Sequence, residues 1–323
     1  MLKKEVAESK RAAYATGTWK NLRYQFRLFI NFCLYFQYSY LPASVSCLCL
    51  YAQFLSRTVK PDTVRNYVSG VKTLHTLCEI SYAGEKCMEL KLTLRGIARL
   101  KPYCAKQAAP LTPDILIQLF PLFDFDSPLD CTMWALFLLA FFTLSRKSNL
   151  VVTGSDPFDP LKQLCREDVE VGSGGLLVCM RWSKTNQFGK KIHDVPLVSI
   201  PGHPLCPVRA YKRMIQLVPG EASDPAFFSY LPGRGDKLPI TYYLLQKYIK
   251  EAVGAIGLNP ELFSSHSLRR AGATWAFRSR VRPDLIKSQG DWTSLCYLRY
   301  IDFSLHERLE VSEKMSQEIL RRC

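Results

Sequence analysis

Residues 264–302 read SSHSLRRAGATWAFRSRVRPDLIKSQGDWTSLCYLRYID and gather four side-chain types that together can do phosphorus chemistry. His266 and Arg269 stand three apart in what reads as the first turn of a helix, with Ser264 or Ser265 as the N-cap, so both project from one face. Pro283 fits the first turn of a second short helix, Leu285 and Ile286 give it an apolar side, and Gly290 is expected to supply a left-handed stop. Asp291 and Trp292 follow, Thr293 or Ser294 can cap a third helix, and Tyr297 and Tyr300 fall on it. A guanidinium forks onto two phosphate oxygens, an imidazole manages a proton, an indole N–H donates one hydrogen bond, and a phenol can attack phosphorus. The set describes phosphoryl transfer to tyrosine. An H-x-x-R pair alone reads better as a structural helix cap with core aromatics, because such pairs are common by chance, so the rest of the chain decides.

The elements that must hold these residues begin with a basic, helical N-terminal third. The chain carries 43 lysines and arginines against 28 aspartates and glutamates, a net +15 with a pI near 9.3, a balance that favours a polyanion. Residues 1–110 hold 17 basic and 6 acidic side chains, net +11. From Thr18, read as an N-cap, Trp19, Leu22, Phe26, Phe29, Ile30 and Cys33 form one apolar stripe while Lys20, Arg23 and Arg27 share another face. A second helix spans about 44–56. A third opens at Pro61, with Val64, Tyr67, Val68, Val71 and Leu74 inward and Arg65, Ser69 and Lys72 opposite. A fourth, about 89–101, places Lys91, Arg95 and Arg99 four apart. Each basic face alone reads better as a solvated surface; repetition and the local charge point to a helical DNA clamp.

PYCAKQAAPLTP, residues 102–113, breaks the helical pattern, and the domain boundary is placed there: 1–106 a helical DNA-binding domain, 107–323 a second domain. The uncharged run 131–145 is too short to span a bilayer and reads as a buried helix. At its mouth stand Arg146 and, three residues on, Asn149. Residues 169–171, 176–183 and 191–198 then read as a three-stranded antiparallel meander, with Lys184 at the end of its second strand. Thr241 caps a helix to about residue 256, closed by Gly257, and residues 303–323 carry Leu305, Leu309, Ser312, Met315 and Ile319 on one helical face. The fold class is mainly α with a small antiparallel β-sheet.

Twelve cysteines lie scattered in apolar segments, where free cysteine packs as a small hydrophobe, and no zinc spacing appears. A reducing intracellular compartment is expected. Leu2 is followed at once by Lys3, Lys4 and Glu5, which does not read as a signal peptide, and no membrane partner is expected.

HSLRR followed by QGDWTSLCYLRYID resembles the C-terminal signature of the tyrosine recombinases, nearest in wording to recombinases of eukaryotic DIRS-type and Crypton-type mobile elements. The resemblance covers about 112–323 well and the N-terminal part in outline. It implies a SAM-like core-binding domain over 1–106 and an α+β catalytic domain over 107–323. It implies a catalytic set of Arg146, Lys184, His266, Arg269, Trp292 and Tyr300, in the family's order of residue types. Trp292 stands where many members have histidine, and Asn149 where many have an acid, which puts a supporting contact to Arg146 in question. Tyr300 would attack one phosphodiester, giving a 3′-phosphotyrosyl bond and a free 5′-hydroxyl; Tyr297 is the rival nucleophile and better suited to packing. Arg146 and Arg269 would stabilise charge on the phosphate, Lys184 would protonate the leaving oxygen and His266 would assist proton removal. No metal or cofactor is implied. The implied partner is double-stranded DNA, bound by a homodimer on a half-site pair and a homotetramer in the synapse through the C-terminal helix. Nuclear residence follows only from the mobile-element resemblance. The competing readings are a type IB topoisomerase-like enzyme, a recombinase-derived DNA-binding protein silent in cleavage, and a basic helical scaffold with chance motifs.

Overall fold

The computed structural model describes residues 2–103, 107–153, 157–183, 186, 192–230, 237–301 and 303–322. The chain divides into two compact units, Met1–Lys106 and Gln107–Cys323.

The first unit is helical: α1 (Leu2–Ala12), α2 (Thr16–Tyr35), α3 (Val45–Leu55), α4 (Pro61–Leu77) and α5 (Met88–Leu100). Helix α2 starts ahead of Thr18, with Ala15 as an N-cap that makes no side-chain bond. Tertiary contact sets that start: the Trp19 indole donates to the Arg11 carbonyl at 2.7 Å and packs edge-on against Tyr14. Helix α3 is capped as its sequence suggests, Ser44 Oγ accepting from the Cys47 N–H at 3.2 Å. Phe29, Cys33, Cys47, Leu48, Tyr51 and Val64 are fully buried and form the centre of this unit. His75 serves the fold, its Nε2 accepting from the Ala43 N–H at 3.0 Å and its Nδ1 paired with the Val71 carbonyl at 2.8 Å.

The second unit is built around α7 (Pro128–Phe142), which follows α6 (Pro113–Leu119). Every α7 residue from Cys131 to Phe141 is buried, so the helix is apolar on all sides. Next come α8 (Lys147–Leu150), the strands β1 (Val169–Val171), β2 (Gly175–Met180) and β3 (His193–Val198), and α9 (Pro207–Leu217). The strands form one antiparallel sheet in the order β1-β2-β3, with Val178 opposite both Val169 and Val195. Leu176, Val178 and Met180 alternate onto the core face. Strand β2 stops at Met180 rather than at Ser183: the chain leaves the ladder and Asn186 N–H closes a turn onto the Ser183 carbonyl at 3.0 Å.

A two-stranded ribbon of β4 (Phe228–Tyr230) and β5 (Lys237–Pro239) precedes α10 (Tyr242–Ala255), capped by Thr241 Oγ1 on the Leu244 N–H at 3.2 Å. Gly257, at φ +79, takes the left-handed turn that ends α10. The chain finishes with α11 (Ser265–Arg278), α12 (Pro283–Gln289), a 3-10 helix over Leu295–Arg299, and α13 (Leu305–Arg322). Helix α7 packs against α9, α11 and β4, which makes it the floor on which α11 is set. Among the described residues no helix is long and apolar enough to cross a membrane.

Candidate active site

The site grows from the seating of α11 on the end of α7. Ser264 Oγ accepts from the His266 N–H at 3.2 Å while the Ser264 N–H donates to Ser267 Oγ at 2.9 Å, a reciprocal cap that fixes the first turn. One turn further in, Gly272 allows the helix to touch α7, since a Cβ there would collide with the Phe141 carbonyl. Arg269, 2% exposed, is thereby brought to the α7 terminus. Its Nη1 donates to the carbonyl of Leu144, a residue in the left-handed conformation at φ 52, and its Nη2 donates to the carbonyl of Gly290 at 2.7 Å. The guanidinium lies 3.9 Å from the centroid of the Trp292 ring and 5.2 Å from that of Tyr300. Burial, and after it the charge of Arg146, push its pKa down to about 9, which leaves it cationic at neutral pH.

The end of α12 corrects one expectation. Gly290 is not left-handed; it has φ −88, and Asp291 takes the positive φ at 49. The Trp292 indole covers Gly290 so closely that a Cβ would collide with it, and aspartate is among the few residues that tolerate the left-handed region. Glycine at 290 therefore serves close packing rather than the turn. Trp292, 5% exposed, sits in a small cluster with Leu144, Ala273, Ile286, Tyr297 and Ile301.

The two tyrosines separate by burial. Ser294 Oγ accepts from the Cys296 N–H at 3.3 Å and starts a 3-10 helix rather than the α-helix expected. Tyr297 is 4% exposed and packs on Trp292 at 6.0 Å between ring centroids. Tyr300, partly exposed, is the C-cap of that turn, held by Thr274 Oγ1 donating to its carbonyl at 3.1 Å. Its ring stands 5.3 Å from Trp292 and 6.4 Å from His266.

Arg146 is the N-cap of α8 and points back to the same place. Its Nη2 donates to the Asp291 carbonyl at 3.4 Å, and its Nη1 lies 3.7 Å from Asp291 Oδ2. That carboxylate oxygen also accepts from Ser183 Oγ. Asn149 is buried and donates through Nδ2 to the Trp182 carbonyl at 2.6 Å, a bond that a carboxylate could not make. The acidic group near Arg146 thus comes from Asp291, not from position 149. The protein mass around the His266 ring, then the charges of Lys147, Arg269 and Arg146, hold its pKa below the ordinary histidine value, although the residue keeps an exposed edge. His193 Nε2 is 3.0 Å from the Gln289 carbonyl, and Gln289 Nε2 donates to the Phe142 carbonyl at 3.0 Å, which pins β3 and α12 to the end of α7.

The structure therefore gathers Arg146, His266, Arg269, Trp292 and Tyr300; Lys184 lies outside the described residues. Two guanidiniums, an indole and an imidazole around a phenol suit a tetrahedral anion beside a tyrosine nucleophile. Among the described residues, no group of three or more His, Cys, Asp and Glu is arranged to hold a metal ion. Sequence reasoning missed Asp291, Ser183 and His193. The adjacency of Asp291 to Trp292 was visible, but no spacing rule links it to Ser183, 108 residues away. In the first unit, Lys20, Arg23 and Arg27 on α2, Arg65 and Lys72 on α4, and Lys91, Arg95 and Arg99 on α5 are all exposed. Arg65 pairs with Asp62 at 3.3 Å and Lys72 with Glu85 at 2.6 Å.

No family model matches the chain. The chain is 26% identical over 280 residues to an integrase/recombinase xerD homolog of Selenomonas ruminantium, spanning 85% of this chain and 75% of that protein. Among solved structures, it is similar to XerH site-specific recombinase bound to palindromic difH substrate in a post-cleavage complex (TM-score 0.58, 17% identity, 84% of this chain and 70% of that one). It is also similar to the Tn1549 transposon integrase in complex with circular intermediate DNA (TM-score 0.56, 13% identity, 94% and 95%). A lambda integrase dimer bound to a COC′ core site gives a TM-score of 0.56 at 15% identity over 93% and 94%. The chain shares the fold of these recombinase and integrase structures.

Proposed function

We propose that the protein is a site-specific DNA recombinase that cleaves and rejoins duplex DNA through a 3′-phosphotyrosyl intermediate. The observation that carries this reading is the buried Arg269 guanidinium, aimed at the Tyr300 ring 5.2 Å away, with Arg146, His266 and Trp292 around the same point. Tyr300 Oη attacks the scissile phosphorus, its proton passes to His266, and the bond from phosphorus to the 5′ oxygen breaks, that oxygen taking a proton from Lys184 to leave as the 5′-hydroxyl. Rejoining reverses each step. Arg146 and Arg269 stabilise the charge that builds on the non-bridging oxygens, the effect that usually contributes most in such sites. His266 suits its role because a depressed pKa keeps a proton acceptor available at neutral pH.

The basic exposed faces of α2, α4 and α5 support duplex binding by the first unit. Helix α13 leaves Leu305, Leu309, Val311, Met315 and Ile319 exposed, which supports its use between copies in a dimer on paired half-sites and a tetramer at synapsis. The wording of residues 289–302 supports a eukaryotic DIRS-type or Crypton-type element as the source, and with it work in the nucleus.

The test is covalent trapping on nicked suicide duplexes drawn from a pool that includes element ends, with Tyr300→Phe and Tyr297→Phe beside the parent. The expected result is an adduct that forms in the presence of EDTA and disappears only with Tyr300→Phe. Tight binding of a pool member without any adduct would replace this reading with that of a DNA-binding protein silent in cleavage.

A further inference from the structure

Asp291 carries a carboxylate beside the arginine meant for a phosphate, a place where negative charge opposes the ligand. It also adopts a left-handed backbone, φ 49, which glycine would take with less strain. The side chain is 11% exposed and Arg146 19%, so the two meet in a largely dry setting. One carboxylate oxygen stands 3.7 Å from Arg146 Nη1, and the carbonyl of the same residue accepts from Arg146 Nη2 at 3.4 Å. A guanidinium has five N–H bonds, and these contacts engage two nitrogens without closing the tight bidentate fork that would compete with a phosphate. The same carboxylate oxygen accepts from Ser183 Oγ. Ser183 follows Trp182, whose carbonyl is already fastened by Asn149 three residues after Arg146, and in sequence it directly precedes Lys184.

We propose that Asp291 is a positioning residue: it holds Arg146 ready for a phosphate and, through Ser183, ties that arginine to the chain just beyond β2. The inference rests on the recombinase reading for its catalytic consequence and on the contacts alone for its structural one. In this arrangement the carboxylate lowers DNA affinity slightly, because it adds a negative charge near a phosphate site, and offsets this in the rate of cleavage by fixing a donor that would otherwise swing.

The experiment compares the parent with Asp291→Asn, Asp291→Gly, Ser183→Ala and the Asp291→Asn/Ser183→Ala pair. Duplex affinity and single-turnover adduct formation at saturating protein are measured separately. Positioning predicts unchanged or tighter binding for Asp291→Asn and Asp291→Gly, with adduct formation slowed by about 10-fold to 100-fold. It predicts a smaller loss for Ser183→Ala and little further loss in the pair, because the two act on one contact. Faster adduct formation in Asp291→Asn would overturn the proposal and make the carboxylate a competitor of the phosphate. A parallel fall in binding, rate and melting temperature would overturn it in favour of a structural role. If the parent itself forms no adduct, the recombinase reading fails and the positioning claim is read in the free protein from the NMR signals of the Arg146 side chain. Positioning then predicts loss of their order in Asp291→Asn, and equal order in parent and variant overturns it.

Discussion

Arg269 Nη2 donates to the carbonyl of Gly290 at 2.7 Å, joining α11 to the end of α12 across the face of Trp292. The same guanidinium holds the Leu144 carbonyl beyond the end of α7. One buried side chain thus fastens three chain segments while presenting its charge to Tyr300. Arg269→Ala would leave two carbonyls without that donor and a hole beneath the indole, and should lower stability by about 2–5 kcal/mol in urea titrations. Arg269→Lys keeps the charge but not the planar fork, so it should recover part of that stability and little of the adduct formation.

His266 gives a pH signature. Its pKa is held below the ordinary 6.5 by burial first and by Lys147, Arg269 and Arg146 after it. Adduct formation should therefore rise with pH only through a window below 6.5 and be flat above it. Lys147→Gln removes one of the neighbouring charges and should move that acidic limb upward. Stability follows the same sign: the unfolded chain binds the proton more readily, so this contribution is complete above 6.5 and is lost as pH falls through the depressed value.

Two glycines in the second unit mark contacts with no spare room. At Gly272 an added methyl meets the Phe141 carbonyl, and at Gly290 it meets the Trp292 ring. Gly272→Ala and Gly290→Ala should each cost about 1–3 kcal/mol by thermal or urea unfolding. A methyl on Gly96 of α5 would have nothing within 4 Å, so Gly96→Ala serves as the control and should be neutral or slightly stabilising.

The first unit makes a prediction in salt. If Arg23, Arg27, Arg95 and Arg99 face phosphates, each change to glutamine should lower the slope of log K against log salt by about 0.9 for every phosphate no longer neutralised, across unrelated duplexes. Arg65 and Lys72 pair with Asp62 and Glu85, and replacing them should change the slope less.

What the sequence made legible were features written in neighbouring residues. The serine cap at residue 264 and the three-residue step to Arg269 fixed one helix face, and the uncharged run after Cys131 announced a helix buried on all sides. The meander showed through its alternation. Illegible were contacts that no spacing pattern encodes, whether between near neighbours or distant residues. Ala15 displaced Thr18 as the start of α2 because Trp19 reaches back to Arg11 and Tyr14. Asp291 took the turn expected of Gly290 because an indole occupies the space where a side chain would be. The acid that the resembled family often carries three residues after its arginine is Asn149 here, and the carboxylate beside Arg146 comes from beyond the end of α12, a placement in space that no local pattern encodes.

The seat of Arg269 also has a bearing on how the protein is made. Its two carbonyl partners are separated from it by 125 residues on one side and 21 on the other, and Trp292 and Tyr300 come later still. A nascent chain emerging from the ribosome therefore has the basic helices of the first unit long before it has a place for the arginine or the phenol. Translation order alone keeps Arg269 without its partners until the second unit has closed around its last elements.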